Sequence, residues 1–583
     1  ETETTAFVPR RDPVKLVRLR ITNRTEVERS LSLYRYAELV LGERREPNAP
    51  YVIVERDLDS GALLAHNPYN QTFGNRLAFV AVAGAEVDSV TARRGAFLGR
   101  NGHASSPASV VAGGPLDGSL DTDLDPCAAV RVPLALAPGE TREVVFLLGQ
   151  AKTVADVRTL VTRYATPEAA DLALADVTAF WEETLGAVQI ETPAPDLDVL
   201  VNGWLLYQNL SCRLWGRSAF YQSGGAYGFR DQLQDSLALV YTRPDLTRAQ
   251  ILINAANQFE EGDVLHWWHP ITGAGIRTRF SDDLLWLPYA VAFTLASTGD
   301  ETLLDEEAPF LTARALEPGE DEVFLTPQPS GETGSVYEHA ARALDISLTA
   351  GRHGIPLMGS GDWNDGMNRV GNEGEGESVW LGFFLAHILE RFIPIAEARG
   401  DRQRAERYTA YRADLVRALD ADGWDGAWYR RAFYDDGTPL GSAQNDECRI
   451  DAIAQGWSIL SGVAGDRTDQ VLDAVDRYLV DERAGMIRLL TPPFDVTDHD
   501  PGYIKGYLPG VRENGGQYTH GVLWAVRAFA EGGRPGRALD LLRMILPVNH
   551  ARSQAAADRY KTEPFAVAAD VYSVEPHVGR GGG

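Results

Sequence analysis

This sequence predicts a multidomain β + α protein, a β-sandwich followed by a ring of helical hairpins. Three observations carry that prediction. A chain of 583 residues exceeds what one hydrophobic core organises, so two or three domains are expected. The first 150 or so residues alternate apolar and polar side chains between turn-rich breaks. After Gln150 the apolar spacing turns helical. The borders drawn on this basis are a β-sandwich over 1–155, a helical linker over 156–196 and a helical domain over 197–583.

Each part has its own signals. "VKLVRLRITN" sets Val14 and Leu16, then Leu19 and Ile21, in short alternations among charged residues, and "REVVFLLG" around Val144 reads as a buried strand. "NPYNQTFGN" and "VAGGPLDGSLD" are turn-rich separators, which together with the strands give the texture of a sandwich. "ADVRTLVTRYATPEAADLALADVTAFWEETL" is helical and reads as a linker. Beyond Leu197 helix follows helix. "PDLTRAQILINAANQF" opens with Pro and Asp, and "SDDLLWLPYAVAFTLASTGD" opens with a Ser-Asp cap and stops at Gly299. Long loops rich in Gly, Trp and Asp lie between the helices, without a short-period repeat. Helix pairs alternating with such loops imply hairpins in a toroid that holds functional loops at one end.

Composition narrows the function. A net charge of −27 repels nucleic acid and anionic membrane surfaces, so neither is an expected partner. No run of eighteen apolar residues is present, so no bilayer span is expected, and "ETETTAFVPRRDP" lacks the regions of a signal peptide. Cys127, Cys212 and Cys448 give neither a disulfide framework nor a zinc spacing, which fits a reducing, cytoplasmic compartment. His266 and His269 are spaced like ligands, but no Cys or carboxylate cluster completes a set, so no metal is expected.

Five loops mix acids, an Arg or His, and aromatics: "GGAYGFRDQLQD", "HWWHPITGAGIRTRFSDD", "SVYEHAARALD", "GSGDWNDGMN" and "YIKGYLPGVRENGGQYTHG". Sugars call for this mixture, because hydroxyls pair with carboxylates and amides while ring faces stack on aromatics. Capping acids and buried tryptophans explain any one such loop; five in one domain point to a carbohydrate site.

The chain resembles the inverting glycoside phosphorylases of glycoside hydrolase family 94, and most of all the phosphorylase domain of cyclic β-1,2-glucan synthases. The resemblance runs from near residue 14 to the end. Its carriers are "YQSGGAYGFRDQLQD", "PLMGSGDWNDGMNRVG", "GESVWLG", "CRIDAIAQGWSILSG", "PGVRENGGQYTHG" and "YKTEPFAVAADVYS", with "LGRNG", "LDPCAA" and "VVFLLGQA" fitting the synthase branch. It implies an N-terminal β-sandwich, a helical linker, an (α/α)₆ barrel and a small C-terminal β domain. The chain stops at "PHVGRGGG", where the family pattern continues with a Trp-rich segment and a Thr-Gly pair that contacts phosphate, so a catalytic domain truncated at that end is expected.

The resemblance also implies roles. Inverting phosphorolysis uses one protein acid, since phosphate is already an anion and needs no base, whereas an inverting hydrolase needs a second carboxylate. The last Asp of "DWND", here Asp365, matches the general acid. Asp362 is read as a loop brace rather than as a like-charge neighbour that raises the acid. Trp363 matches a wall and platform of the donor subsite. Arg230 and Asp235 match the donor-site pair, with Asp231 and Gln234 sharing that work or bracing the turn. Tyr507, Arg512 and His520 match the acceptor subsite and its junction with phosphate, with His520 as phosphate ligand and Arg217 as a weaker one. Arg512 stands where cellobiose phosphorylases carry Lys, and Tyr503 where they carry an acid. Asp282 and Asp283 are read as helix caps, with an extra sugar contact as the alternative; Glu338 and His339 stay open in the same way.

The expected activity is phosphorolysis of β-1,2-glucan to α-glucose 1-phosphate, or its reverse, with inorganic phosphate as co-substrate and no cofactor. A homodimer, and service as the cytoplasmic domain of an inner-membrane synthase, go with it. The alternatives are a cellobiose- or chitobiose-type phosphorylase, an inverting hydrolase, and a non-catalytic glucan-binding and chain-length module.

Overall fold

The computed structural model describes residues 1–122, 124–216 and 225–582. It divides into two compact units, Glu1–Thr184 and Leu185–Gly583.

Among the described residues of the first unit, nine strands form two antiparallel sheets: β1 (Thr2–Phe7), β2 (Val14–Thr22), β3 (Arg29–Glu38), β4 (Ile53–Arg56), β5 (Leu63–His66), β6 (Leu77–Ala83), β7 (Ser89–Arg93), β8 (Pro126–Leu136) and β9 (Thr141–Ala151). The larger sheet has the order β1-β2-β9-β6-β5-β4 and the smaller β3-β8-β7. Side chains alternate across a strand, and both faces of the larger sheet are covered. Val144 and Phe146 join Val80, Val90, Val130 and Val132 in the sandwich core. Val145 and Leu147 point the other way, with Val14, Leu16 and Phe79, onto Val157, Leu160 and Tyr164. Val157 and Leu160 belong to α1 (Val154–Arg163), Tyr164 is the residue that caps its C-terminus, and Ala170 of α2 (Pro167–Gly186) joins them. The helices expected to be a linker over 156–196 therefore pack on the sheet as its outer layer. Thr153 and Asp156 form a reciprocal capping box that starts α1 there.

The second unit is helical. Its helices relevant to the site are α3 (Phe229–Leu237), α4 (Pro244–Ala255), α5 (Trp286–Thr298), α6 (Val336–Ser347), α7 (Val379–Ala398), α8 (Arg402–Ala421), α9 (Ala452–Leu460), α10 (Thr468–Tyr478), α11 (Thr519–Glu531) and α12 (Pro535–Ile545). Successive odd-numbered helices from α3 to α11 touch one another, while α4, α6, α8, α10 and α12 pack outside their partners. The inner helices α5, α7 and α9 are apolar almost all round because neighbours surround them. α7 is long and apolar enough by length and composition to cross a membrane, although the sequence shows no uninterrupted run of eighteen apolar residues. It lies in the core, with Trp380, Phe383, Phe384 and Leu385 fully buried. Between the helices run short hairpins, including β10 (Tyr227–Gly228), β11 (Leu265–Trp268) and β12 (Gly275–Thr278), which pair antiparallel in that order.

Candidate active site

The loop 359–368 is fixed before it does any chemistry. Ser360 N donates to the Arg279 carbonyl at 3.2 Å, and Ser281 N to the Gly361 carbonyl at 3.0 Å. Gly361 has φ +151°, and a Cβ there would run into the Phe280 ring, so glycine alone fits. Asp362 is fully buried. Its oxygens accept two Arg431 N–H groups at 2.6 Å each, the Ser378 hydroxyl at 2.6 Å and Asn364 N at 3.1 Å. Burial pushes this carboxyl up, but the fully buried Arg431 outweighs burial and holds it below the usual range. Asp362 is thus a brace. Asn364 Oδ1 then accepts Gly366 N at 3.1 Å and starts a 3₁₀ turn, Asp365–Met367, with Asp365 at its head.

Arg230, from the first turn of α3, is the hub of the charges. One N–H end lies 3.1 Å from each Asp282 oxygen and 3.3 Å from the Asp362 carbonyl, and the other donates to Asp365 Oδ1 at 2.5 Å. Asp282 has no exposed side chain and also accepts the Trp286 indole N–H at 3.0 Å. Burial pushes Asp282 up, Arg230 pulls it down, and Asp283 pushes it up again; the net shift is upward. Asp283 Oδ2 holds His266 Nδ1 at 2.7 Å, and His266 Nε2 stands 3.8 Å from Asp365 Oδ2. Burial alone would lower His266; the Asp283 and Asp365 charges outweigh it and raise the imidazole to about 9.

Below this cluster lies an aromatic floor. Trp524 of α11 meets Trp286, Trp380 and Trp457 at ring separations of 6.1, 6.2 and 5.4 Å. Trp363 sits on it, 5.3 Å from Trp524 and 5.4 Å from His520, and is only 5% exposed. It forms floor and wall, with little free ring face for stacking.

On the other side, the 3₁₀ turn Tyr503–Gly506 locks against the Asp365 turn: Tyr503 N donates to Asn368 Oδ1 at 3.0 Å, and Gly366 packs on Ile504. The exposed Tyr503 ring stands perpendicular to Tyr507, and the Arg512 guanidinium lies 4.8 Å from the Tyr507 ring centre. Arg512 has φ +53°, held by its N–H to Asp570 at 2.8 Å, and its Nε is 3.3 Å from Glu513. Burial pushes His520 down to about 4, with Asp231 pulling the other way, so the imidazole is neutral at pH 7 and accepts the Gln234 amide N–H at 3.0 Å.

Two Glycosyl hydrolase 94 families account for nearly all of this sequence: the superfamily catalytic domain matches residues 180–583, and the supersandwich domain matches residues 1–167. The chain belongs to glycoside hydrolase family 94. It is 50% identical to cyclic beta-(1,2)-glucan synthase NdvB of Rhizobium meliloti (strain 1021), over 100% of this chain and 21% of that protein. The chain thus spans about one-fifth of that synthase's length. Solabiose phosphorylase of Paenibacillus borealis is 31% identical over 96% of this chain and 69% of its own. N,N'-diacetylchitobiose phosphorylase of Vibrio furnissii is 28% identical over 94% and 69%. Among solved structures, a bacterial glucoamylase complexed with acarbose superposes with a TM-score of 0.57 at 10% identity, over 98% of this chain and 77% of that one, a likeness of fold.

Within this family-94 chain, the structure gathers Arg230 and Asp365 in one ion pair and sets Trp363 and His520 beside each other. Asp235 is not joined to Arg230. Five residues on a helix turn the side chain by about 140°, and Asp235 Oδ2 instead accepts Arg213 Nε at 2.8 Å. Asp282 and Asp283 make no side-chain cap bond; they hold Arg230 and His266 instead, which corrects their reading as caps. Glu338 pairs with Arg342 and Arg404, and His339 is buried against Gln258 and the Ala308 carbonyl, so both serve the scaffold. Arg217 lies outside the described residues. Sequence reasoning missed Arg431, which comes from "WYRRAF", a stretch with no spacing that ties it to "DWND".

Proposed function

We propose that this chain is a phosphorylase module that cleaves β-1,2-glucan by inverting phosphorolysis to α-glucose 1-phosphate, or runs the reverse synthesis, with Asp365 as general acid. One observation carries the reading. Of the three acids ion-paired with Arg230, the side chain of Asp365 is 35% exposed, while Asp282 and Asp283 are 0–2% exposed and held by Arg230 and His266; the buried Asp362 is held by Arg431, and Asp231, also exposed, faces Arg213 at 3.8 Å. One exposed acid among those paired with Arg230 suits phosphorolysis; an inverting hydrolase would need a second carboxylate roughly 6.5–9.5 Å away to activate water.

In this reading Arg230 and Trp363 hold the transferred sugar, Tyr503, Tyr507 and Arg512 line the acceptor side, and phosphate enters near His520. A neutral His520 donates one hydrogen bond but no charge, so Arg512 and Arg230 meet the anion's charge. The helical unit is an (α/α)₆ barrel in this proposal. The helices α3 to α12 supply five of its inner–outer pairs, and the sequential contacts of the inner series together with the glucoamylase-like fold support the reading. The module would work in the cytoplasm as part of a larger membrane-bound synthase; its likeness to a fifth of a cyclic beta-(1,2)-glucan synthase supports membership of a larger synthase.

The test is a panel of β-linked glucobioses and β-1,2-glucan incubated with phosphate and assayed for glucose 1-phosphate. Phosphate-dependent product from the β-1,2 linkage is expected, and Asp365→Asn should lower it by roughly 10²–10⁴-fold, the usual worth of a general acid. Product from other linkages alone would remove the glucan assignment, and turnover without phosphate would remove the phosphorylase.

A further inference from the structure

His266 occupies an irregular place in its strand. β11 and β12 pair Leu265 with Arg277 and then Trp267 with Ile276, so two steps on β11 match one on β12 and His266 is the extra residue of a bulge. Bulges re-aim a side chain without breaking the hairpin. Here the imidazole is re-aimed into the charge cluster, flanked by the Phe280 ring at 4.7 Å. Its Nδ1 is fixed by Asp283, 2% exposed, whose other oxygen has no hydrogen bond among the described residues. Its Nε2 faces Asp365 Oδ2 at 3.8 Å. Asp365 Oδ1 already accepts a hydrogen bond from Arg230. The oxygen left to carry a proton to a glycosidic bond is therefore Oδ2, the one His266 faces.

We propose that His266, fixed by Asp283, is a positioning residue that supplies the proton of the general acid Asp365. This rests on the reading of Asp365 given above. The proton balance closes with phosphate alone. The Nε2 proton passes to Asp365 Oδ2 and from there to the glycosidic oxygen as its bond to C1 breaks, while an oxygen of HPO₄²⁻ bonds to C1. The proton that the phosphate still carries is shed as glucose 1-phosphate becomes a dianion, and it restores the imidazolium. The charged groups facing the imidazole are Asp283 and Asp365, which favour the imidazolium, and Arg230, which opposes it. With the imidazole near 9, this supply is loaded below that pH and fails as pH rises through it.

The experiment compares His266→Gln, Asp283→Asn and Asp365→Asn. Turnover is measured from pH 5.5 to 9.5 with phosphate, on a β-linked gluco-oligosaccharide and on 2,4-dinitrophenyl β-glucoside, whose leaving group needs no proton. Thermal unfolding checks folding. His266→Gln should lower kcat on the oligosaccharide at least about tenfold with a much smaller loss on the aryl glucoside. Asp283→Asn should move the basic limb of kcat to lower pH by about one unit or more, and it keeps the test open where His266→Gln does not fold. An unchanged basic limb in Asp283→Asn, or equal losses of His266→Gln on both substrates, overturns the inference, as does wild-type kcat in His266→Gln beside a dead Asp365→Asn. Wild-type turnover of Asp365→Asn on the oligosaccharide would instead bring down the underlying reading.

Discussion

Arg431 and Asp362 show how much of the site depends on residues that touch no substrate. The pair is fully buried and bidentate, and it sets where Asp365 stands three residues later. Removing one partner strands a charge in the interior, which typically costs about 3–5 kcal/mol, while replacing both with neutral groups is far milder. Arg431→Met should therefore destabilise strongly in denaturant titration, and Arg431→Met with Asp362→Asn should recover a large part of the loss; additive losses would deny the coupling. His387 makes a different residue-scale prediction. It is buried in α7, with Nδ1 donating to the Leu460 carbonyl at 2.8 Å, and burial, helped by Arg391, pushes it down to about 3. Its unfolded value is near 6.5. Between those limits the unfolded chain binds a proton that the folded chain refuses, so this residue's stabilisation is present above pH 6.5 and is lost as pH falls towards 3. The stability gap between the parent and His387→Gln should close by up to ~1.4 kcal/mol per pH unit over that range. A gap constant from pH 7 to pH 4.5 in urea titrations would exclude a neutral buried His387.

At the scale of elements, the acid loop works because two turns interlock. The Asp365 turn sits on the Tyr503 turn, and the segment before it is hydrogen-bonded to 279–281. Gly361→Ala would force the loop off the Phe280 ring and should cost about 1–3 kcal/mol. Turnover should fall more than glucan binding does, because the acid moves while the aromatic floor stays. A variant with parental kcat and unfolding midpoint would show that the loop has slack. Much of this architecture was legible in the chain. The phase slip in "VKLVRLRITN" between Leu16 and Leu19 is the signature of a strand covered on both faces: Val14 and Leu16 meet α1 and α2, while Val17 and Leu19 meet the sandwich core. Four of the five loaded loops do converge on the Arg230–Asp365 cluster, with Asp365 on the turn that "DWND" marks, while "SVYEHAARALD" serves the scaffold. What stayed hidden was pairing across long separations. Arg431 is 69 residues from Asp362, and Asp282 is 52 from Arg230. Local reading sees a Ser-Asp-Asp before a helix and assigns caps, because cap chemistry is written in neighbouring residues and ion pairing is not. The bulge at His266 was invisible for the same reason: it exists only in the register between two strands.

On the whole-molecule scale the charge is the dominant fact. The chain carries −27, and its proposed co-substrate is a dianion. Lysines and arginines number 55 against 82 acids. The cations nearest Asp365 do not reverse that field locally: Arg230 is matched by Asp282 and Asp365, His266 by Asp283, and Arg512 by Glu513. Phosphate therefore approaches against repulsion and gains attraction only at contact, where Arg512 stacks on Tyr507 beside the site. Repulsion of this kind is long-ranged at low salt, with a screening length of about 30 Å at 0.01 M, and short-ranged at 0.1 M, where it is about 10 Å. Raising ionic strength over that range with a salt whose anion is too large for the site should lower the apparent KM for phosphate roughly twofold or more. The KM for the neutral glucan should stay level in the same titration, which separates screening from any change in folding. A phosphate KM that rises with salt would mean that the Arg230, His266 and Arg512 charges outweigh their carboxylates and already draw the anion in from a distance.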